Sequence, residues 1–129
     1  MPLPALTSLN RRQPCLWAAA LISLATAAHP DPARIVGAEA QASDDGWRVS
    51  VTLEHADTGW EDYADGWRVE LEDGTVLATR ELLHPHVSEQ PFTRSLGGVA
   101  IPDGVDTVHI RARTLTDGWA DDRLDLALD

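Results

Sequence analysis

Two stretches of this 129-residue chain gather the side chains that could do chemistry. The first is Leu83-His84-Pro85-His86-Val87-Ser88-Glu89-Gln90-Pro91-Phe92-Thr93-Arg94. Pro85 pushes His84 toward extended backbone and fixes its own φ. An extended His-x-His presents both imidazoles on one face, roughly 7 Å apart at Cα. Two neutral imidazoles so placed suit copper or zinc, with His55 or Glu89 as a further ligand. Two histidines alone are a weak signal, because protein metal sites use three or four ligands placed in space. The competing reading is a solvated loop that binds nothing.

The second stretch runs from His55 to Trp67 and holds Asp57, Glu61, Asp62 and Asp65. Their oxygens could serve calcium, although the D-x-D-x-D-G spacing of a calcium loop is absent. Trp60 and Tyr63 offer faces for a sugar ring or a protein partner, as does Trp119 further on. Arg94 could pair with an acid of this stretch and join both segments into one ligand- or partner-binding end. Trp47 and Trp67 read instead as core anchors, and His109 as solvent-facing beside Thr107, Arg111 and Arg113.

These groups must be positioned by strands. Trp47-Arg48-Val49-Ser50-Val51-Thr52-Leu53-Glu54 alternates apolar and polar, the mark of a half-buried strand. Trp67–Glu72 and Thr75–Arg80 repeat the pattern around Asp73-Gly74, which reads as a two-residue type I′ hairpin turn. Thr107–Arg113 and Leu124–Leu128 alternate too, and weaker strands run through Ile35–Ala42 and Phe92–Ile101. About seven short strands and no helical pattern predict an all-β fold, an antiparallel two-sheet sandwich of immunoglobulin or fibronectin III kind. A small β-barrel is the alternative. The recurrence of Gly46-Trp47-Arg48-Val49 as Gly66-Trp67-Arg68-Val69 reads as a turn followed by a strand whose first inward residue is Trp.

The leading segment has the layout of an address. Arg11 and Arg12 precede the apolar run Cys15–Ala25, and Ala25-Thr26-Ala27-Ala28 supplies an A-x-A cleavage site. Residues 1–28 are expected to be a signal peptide cut near Ala27 or Ala28, leaving a single domain, 29–129, in the periplasm or outside the cell. Gln13-Pro14-Cys15 fits a twin-arginine signal poorly, which favours the general secretory route. The residues before Cys15 are not the small apolar ones lipidation needs. Cleavage after Ala28 would also give His29 a free amine with which to chelate copper. The chain carries ten basic and 21 acidic residues, a net charge of −11, which excludes nucleic acid and an anionic membrane face as partners. No apolar run is long enough for a transmembrane segment.

Taken together, His55-Ala56-Asp57-x-Gly59-Trp60-x-x-Tyr63-Ala64-Asp65-x-Trp67 and His84-Pro85-His86-x-x-Glu89-Gln90-Pro91-Phe92-Thr93-Arg94-Ser95-Leu96 resemble a pattern in small exported bacterial proteins of unassigned activity. The resemblance spans roughly Trp47 to Trp119 and implies a β-sandwich and no catalytic role. The residues agree: the 29–129 domain has no Cys nucleophile, no G-x-S-x-G elbow and no Gly-rich phosphate loop. The sequence therefore predicts an acidic, non-catalytic binding module, with His84, His86, His55 and Glu89 as candidate ligands of copper or zinc, and less readily calcium at the Asp57–Asp65 acids. A metal-free protein-interaction domain and a carbohydrate-binding module are the alternatives.

Overall fold

The computed structural model describes residues 30–129, together with Pro2. The remainder of the expected signal peptide, including Cys15, and His29 lie outside the described residues. Eight strands follow in order: β1 Arg34–Ser43, β2 Gly46–Glu54, β3 Ala64–Glu70, β4 Val76–Glu81, β5 Phe92–Val99, β6 Thr107–Thr114, β7 Gly118–Trp119 and β8 Leu124–Ala127. They form two antiparallel sheets. One has the order β1-β2-β5; the other runs β4-β3-β6-β7, with β8 also paired to β6. The sheets do not close into a barrel, so the sandwich expectation holds. In the seven-stranded immunoglobulin order the fourth strand lies beside the fifth; here β4 lies beside β3.

The period-two pattern explains which faces meet. Val49, Val51 and Leu53 of β2 are at most 1% exposed, and they pack with Trp67, Val69, Val108 and Ile110 from the facing sheet, all fully buried. Trp67 is the largest of these anchors and Trp47 packs against the same core from a partly buried position. On the other face of β3, Glu70 is fully buried beneath arginines. It accepts from Arg68 Nε at 2.6 Å, Arg111 Nε at 2.8 Å and Arg123 Nη1 at 3.2 Å. A buried carboxylate is tolerable only with such partners.

Two expectations change. The β3–β4 connection is not a two-residue type I′ turn, which would put both central residues at positive φ. Only Gly74 takes positive φ (+90°), after a turn in which its N–H donates to Leu71 O and Leu71 N–H donates to Thr75 O. That is a three-residue loop, 72–74, with glycine in the left-handed position. His109 is not solvent-facing: it is 9% exposed and its Nδ1 lies 2.7 Å from Asp125 Oδ1, because β8 pairs with β6 at that point.

Strand direction then gathers the chemistry. Arg34 pairs with Glu54, so the segment before β1 and the loop after β2 lie at one end of the sandwich. The antiparallel order puts the β4–β5 and β6–β7 connections at the same end. Residues 30–33, 55–63, 82–91 and 115–117 therefore share it.

Candidate metal centre

The organising group of that end is the Asp57 carboxylate. Leaving β2, the chain turns tightly, with Asp57 N–H donating to His55 O at 2.8 Å, and the two side chains fold together. Asp57 Oδ1 lies 2.6 Å from His55 Nδ1 and accepts from Ala64 N–H at 2.9 Å, while Oδ2 accepts from His86 N–H at 2.8 Å. Neither side chain of the His55–Asp57 pair is exposed. One buried carboxylate thus ties together the β2–β3 loop, the start of β3 and the β4–β5 loop. Gln90 adds a second tie, accepting from His55 N–H at 3.0 Å and donating to His86 O at 2.8 Å.

With Nδ1–H directed at Asp57, the other nitrogen of His55 is committed to its own surroundings. Nε2 faces Asp31 O at 3.0 Å, Asp31 Oδ2 at 3.4 Å and Asp62 Oδ1 at 4.0 Å. A lone pair opposite three oxygens is unfavourable; a proton or a metal ion between them resolves it. Burial by itself lowers the basicity of His55, but the Asp57 hydrogen bond and the negative charges of Asp31, Asp57 and Asp62 outweigh it and raise its pKa above the usual 6.5. The Asp62 carboxylate and the Asp31 backbone are each held. Thr116 Oγ1 donates to Asp62 Oδ1 at 3.1 Å, and Asp31, between Pro30 and Pro32, donates its N–H to Asp117 Oδ2 at 3.0 Å.

One ligand atom from each of Asp31, His55 and Asp62 falls within 4.8 Å of the other two. An imidazole with two carboxylates suits zinc or divalent copper better than calcium, which prefers oxygen alone. Asp57 behind His55 is the carboxylate that characteristically orients a metal-bound histidine.

The other candidates fall elsewhere. His84 and His86 come together, with ring centroids 4.6 Å apart. His86 is 5% exposed, stacks on Phe92 at 3.8 Å and accepts at Nε2 from Arg94 Nη2 at 2.7 Å. Its remaining nitrogen, Nδ1, then carries the hydrogen and is buried without a partner. Burial, helped by the charges of Arg94 and His84, lowers the His86 pKa despite Glu89 and Asp57. In this arrangement the acceptor nitrogen of His86 is taken by a guanidinium. Glu89 is engaged by Arg94 at 3.7 Å, so Arg94 pairs within its own segment and not with an acid of the Asp57–Asp65 loop. The two segments are joined by the Asp57 and Gln90 hydrogen bonds instead.

Of the four acids weighed for calcium, only Asp62 is in the cluster. Asp57 is buried, Asp65 is bonded to Arg113 at 2.9 Å, and Glu61 accepts from Thr58 at 3.2 Å. Trp60 is 64% exposed and stands edge-on to Tyr63 with centroids 5.8 Å apart. Trp119 lies against the guanidinium groups of Arg68 at 4.1 Å and Arg113 at 4.9 Å. Asp31 is the member of the cluster that sequence reasoning missed. It sits between two prolines outside any alternating run, and only the pairing of β1 with β2 brings it beside His55.

Over 70 residues the chain is 47% identical to a protein of Halomicrobium mukohataei described as "Putative lipoprotein". The match covers 54% of this chain and 34% of that protein, so the chain spans about a third of the length of the relative it matches. No family model matches the chain, and no solved structure matches it. Among the described residues no helix is long and apolar enough to cross a membrane.

Proposed function

We propose that this is an exported, non-catalytic binding module that holds a divalent transition-metal ion, zinc or copper, through His55, Asp31 and Asp62. The observation that carries the reading is the fixed orientation of His55. Asp57 takes its Nδ1–H, and Nε2 faces the Asp31 carbonyl and the Asp31 and Asp62 carboxylates at one open end of the sandwich. The description of the Halomicrobium protein as a lipoprotein supports export; the residues that would address this chain lie outside those described. Three protein donors leave coordination positions for water or a partner's ligand.

The test is a calorimetric titration with zinc, copper and calcium at pH 7. The chain is compared with a His55→Ala variant, an Asp62→Asn variant and the double variant His84→Ala/His86→Ala. Zinc or copper should bind one to one, and binding should weaken about tenfold or more in the first two while surviving in the third. Loss confined to the double variant would move the site to the His-Pro-His segment.

A metal-free interaction domain is the second reading. It is favoured by the exposure of Trp60 (64%), Leu83 (71%), Val87 (60%) and Leu115 (48%), all in connections at the same end. Silence with all three metals would leave that face as the site.

A further inference from the structure

Beside β1 the two sheets part into a cleft of about 640 Å³. One wall is the segment before β1, through Pro30 and Pro32, with Ile35 at the start of β1; the other is built from Ala112, Ala120 and Leu124. The cleft exists because the last strand is broken. β7 pairs with the end of β6 and β8 with its beginning. Ala120 N–H still donates to Ala112 O, and beyond it residues 121–123 leave the ladder, with Arg111 Nη1 donating to both Ala120 O and Asp121 O. Alanines stand where larger side chains would fill the gap. A volume in this range, with apolar walls, is that of small-molecule sites.

The charges at the mouth select the ligand. Arg34 and Arg123 both line the cleft, but Arg34 is engaged by Glu54 at 3.5 Å and Arg123 by Glu70 at 3.2 Å. Arg123 also donates to Leu71 O and Glu72 O, which turns its guanidinium toward the β3–β4 loop. Of the three lining acids, Asp117 accepts the Asp31 N–H, whereas Asp121 and Asp122 are exposed and make no ion pair among the described residues. Arg111 offsets part of the Asp121 charge, and Asp122 leaves the opening net negative, above an apolar interior.

We propose that this cleft binds an amphiphilic organic cation, a molecule with a hydrocarbon or aromatic body and an amine head. The body occupies the space between Pro32, Ile35, Ala112 and Leu124, and the ammonium group sits at Asp121 and Asp122. This site does not depend on the metal reading: its walls are apolar, and its charged groups are not the His55 cluster.

Dansylcadaverine, a primary amine on a naphthalene body, is the probe, and anilinonaphthalene sulfonate is its anionic counterpart. The amine should bind one to one with a rise in fluorescence, and the sulfonate should not. Asp121→Asn/Asp122→Asn should weaken the amine about tenfold. Ala120→Trp, which fills the cleft from a half-exposed position, should abolish binding while far-ultraviolet circular dichroism stays unchanged. Equal binding of both probes, indifference to the Asp variants, or binding that survives Ala120→Trp would each overturn the assignment. So would the absence of any signal with the amine.

Discussion

His55 Nδ1 and Asp57 Oδ1 are 2.6 Å apart, in a pair whose side chains are both fully shielded from solvent. The carboxylate also closes two backbone hydrogen bonds, from Ala64 and His86. It therefore does two separable things: it assembles three segments of chain and it sets the tautomer of a histidine.

Replacing Asp57 should separate them. Asp57→Ala leaves three buried donors without an acceptor and should cost about 3 kcal/mol of stability. Asp57→Asn keeps one acceptor oxygen, so it should cost less, yet it should lower metal affinity by about ten- to a hundredfold because the charge behind His55 is gone. Urea unfolding and calorimetry on the same two variants read the two effects. If Asp57→Ala costs under about 1 kcal/mol, the buried donors have found other acceptors.

Acid should reach the molecule through Glu70. Burial raises its pKa, but hydrogen bonds from Arg111, Arg68 and Arg123 prevail and hold it at about 2, below the usual 4.5. The unfolded chain thus takes up the proton first. The stability from Glu70 is complete above about pH 4.5 and is lost as pH falls toward 2. Its size is on the order of 3 kcal/mol. Glu70→Gln should lower stability at pH 7 and flatten the decline between those values; a variant that keeps the wild-type slope would refute this.

His86 gives a second titration of the same sign, at higher pH. Its pKa lies below 6.5, so the folded state holds it neutral while the unfolded chain begins to protonate. Stability should therefore fall as pH drops below about 6.5, and His86→Gln should remove that part of the fall. The ring proton signals of His86, followed by nuclear magnetic resonance, should show a midpoint under 6.5. A midpoint at or above it would mean that Arg94 does not donate to Nε2 in solution.

Charge outside these pairs should make the fold respond to salt. All 21 acidic residues lie beyond residue 30, against eight arginines there, leaving −13 on the described domain. Most of it is exposed, so self-repulsion should be relieved once the screening length falls to about 3 Å near 1 M salt. The urea midpoint should rise between low and 1 M sodium chloride; an unchanged or falling midpoint would show that the ion pairs outweigh the repulsion.

The strands were legible because their cause is local. Val49, Val51 and Leu53 alternate with polar neighbours, and the period alone tells which face is buried. The hairpin turn was less so, because Asp73-Gly74 fits either loop length and the register bulge beside Glu70 decided between them. The site was half legible. His55 and Asp62 stood in a stretch dense with acids, but Asp57 read as one of four calcium oxygens, and its burial depends on donors from Ala64 and His86. Asp31 had no local signal at all. The His84-Pro85-His86 spacing did bring two imidazoles together, yet Arg94, eight residues on, took the nitrogen that a metal would need.

The antiparallel order sends the two ends of the described domain in opposite directions. Pro30 emerges beside His55, whereas β8 runs the other way and Leu128 docks by its N–H on Asp106 O at the far end. A surface or affinity tag attached through Asp129 therefore leaves the His55 end facing outward and accessible. Attachment through the segment ahead of Pro30 would turn that end toward whatever holds it. Immobilised binding assays on these residues should be built from the Asp129 end.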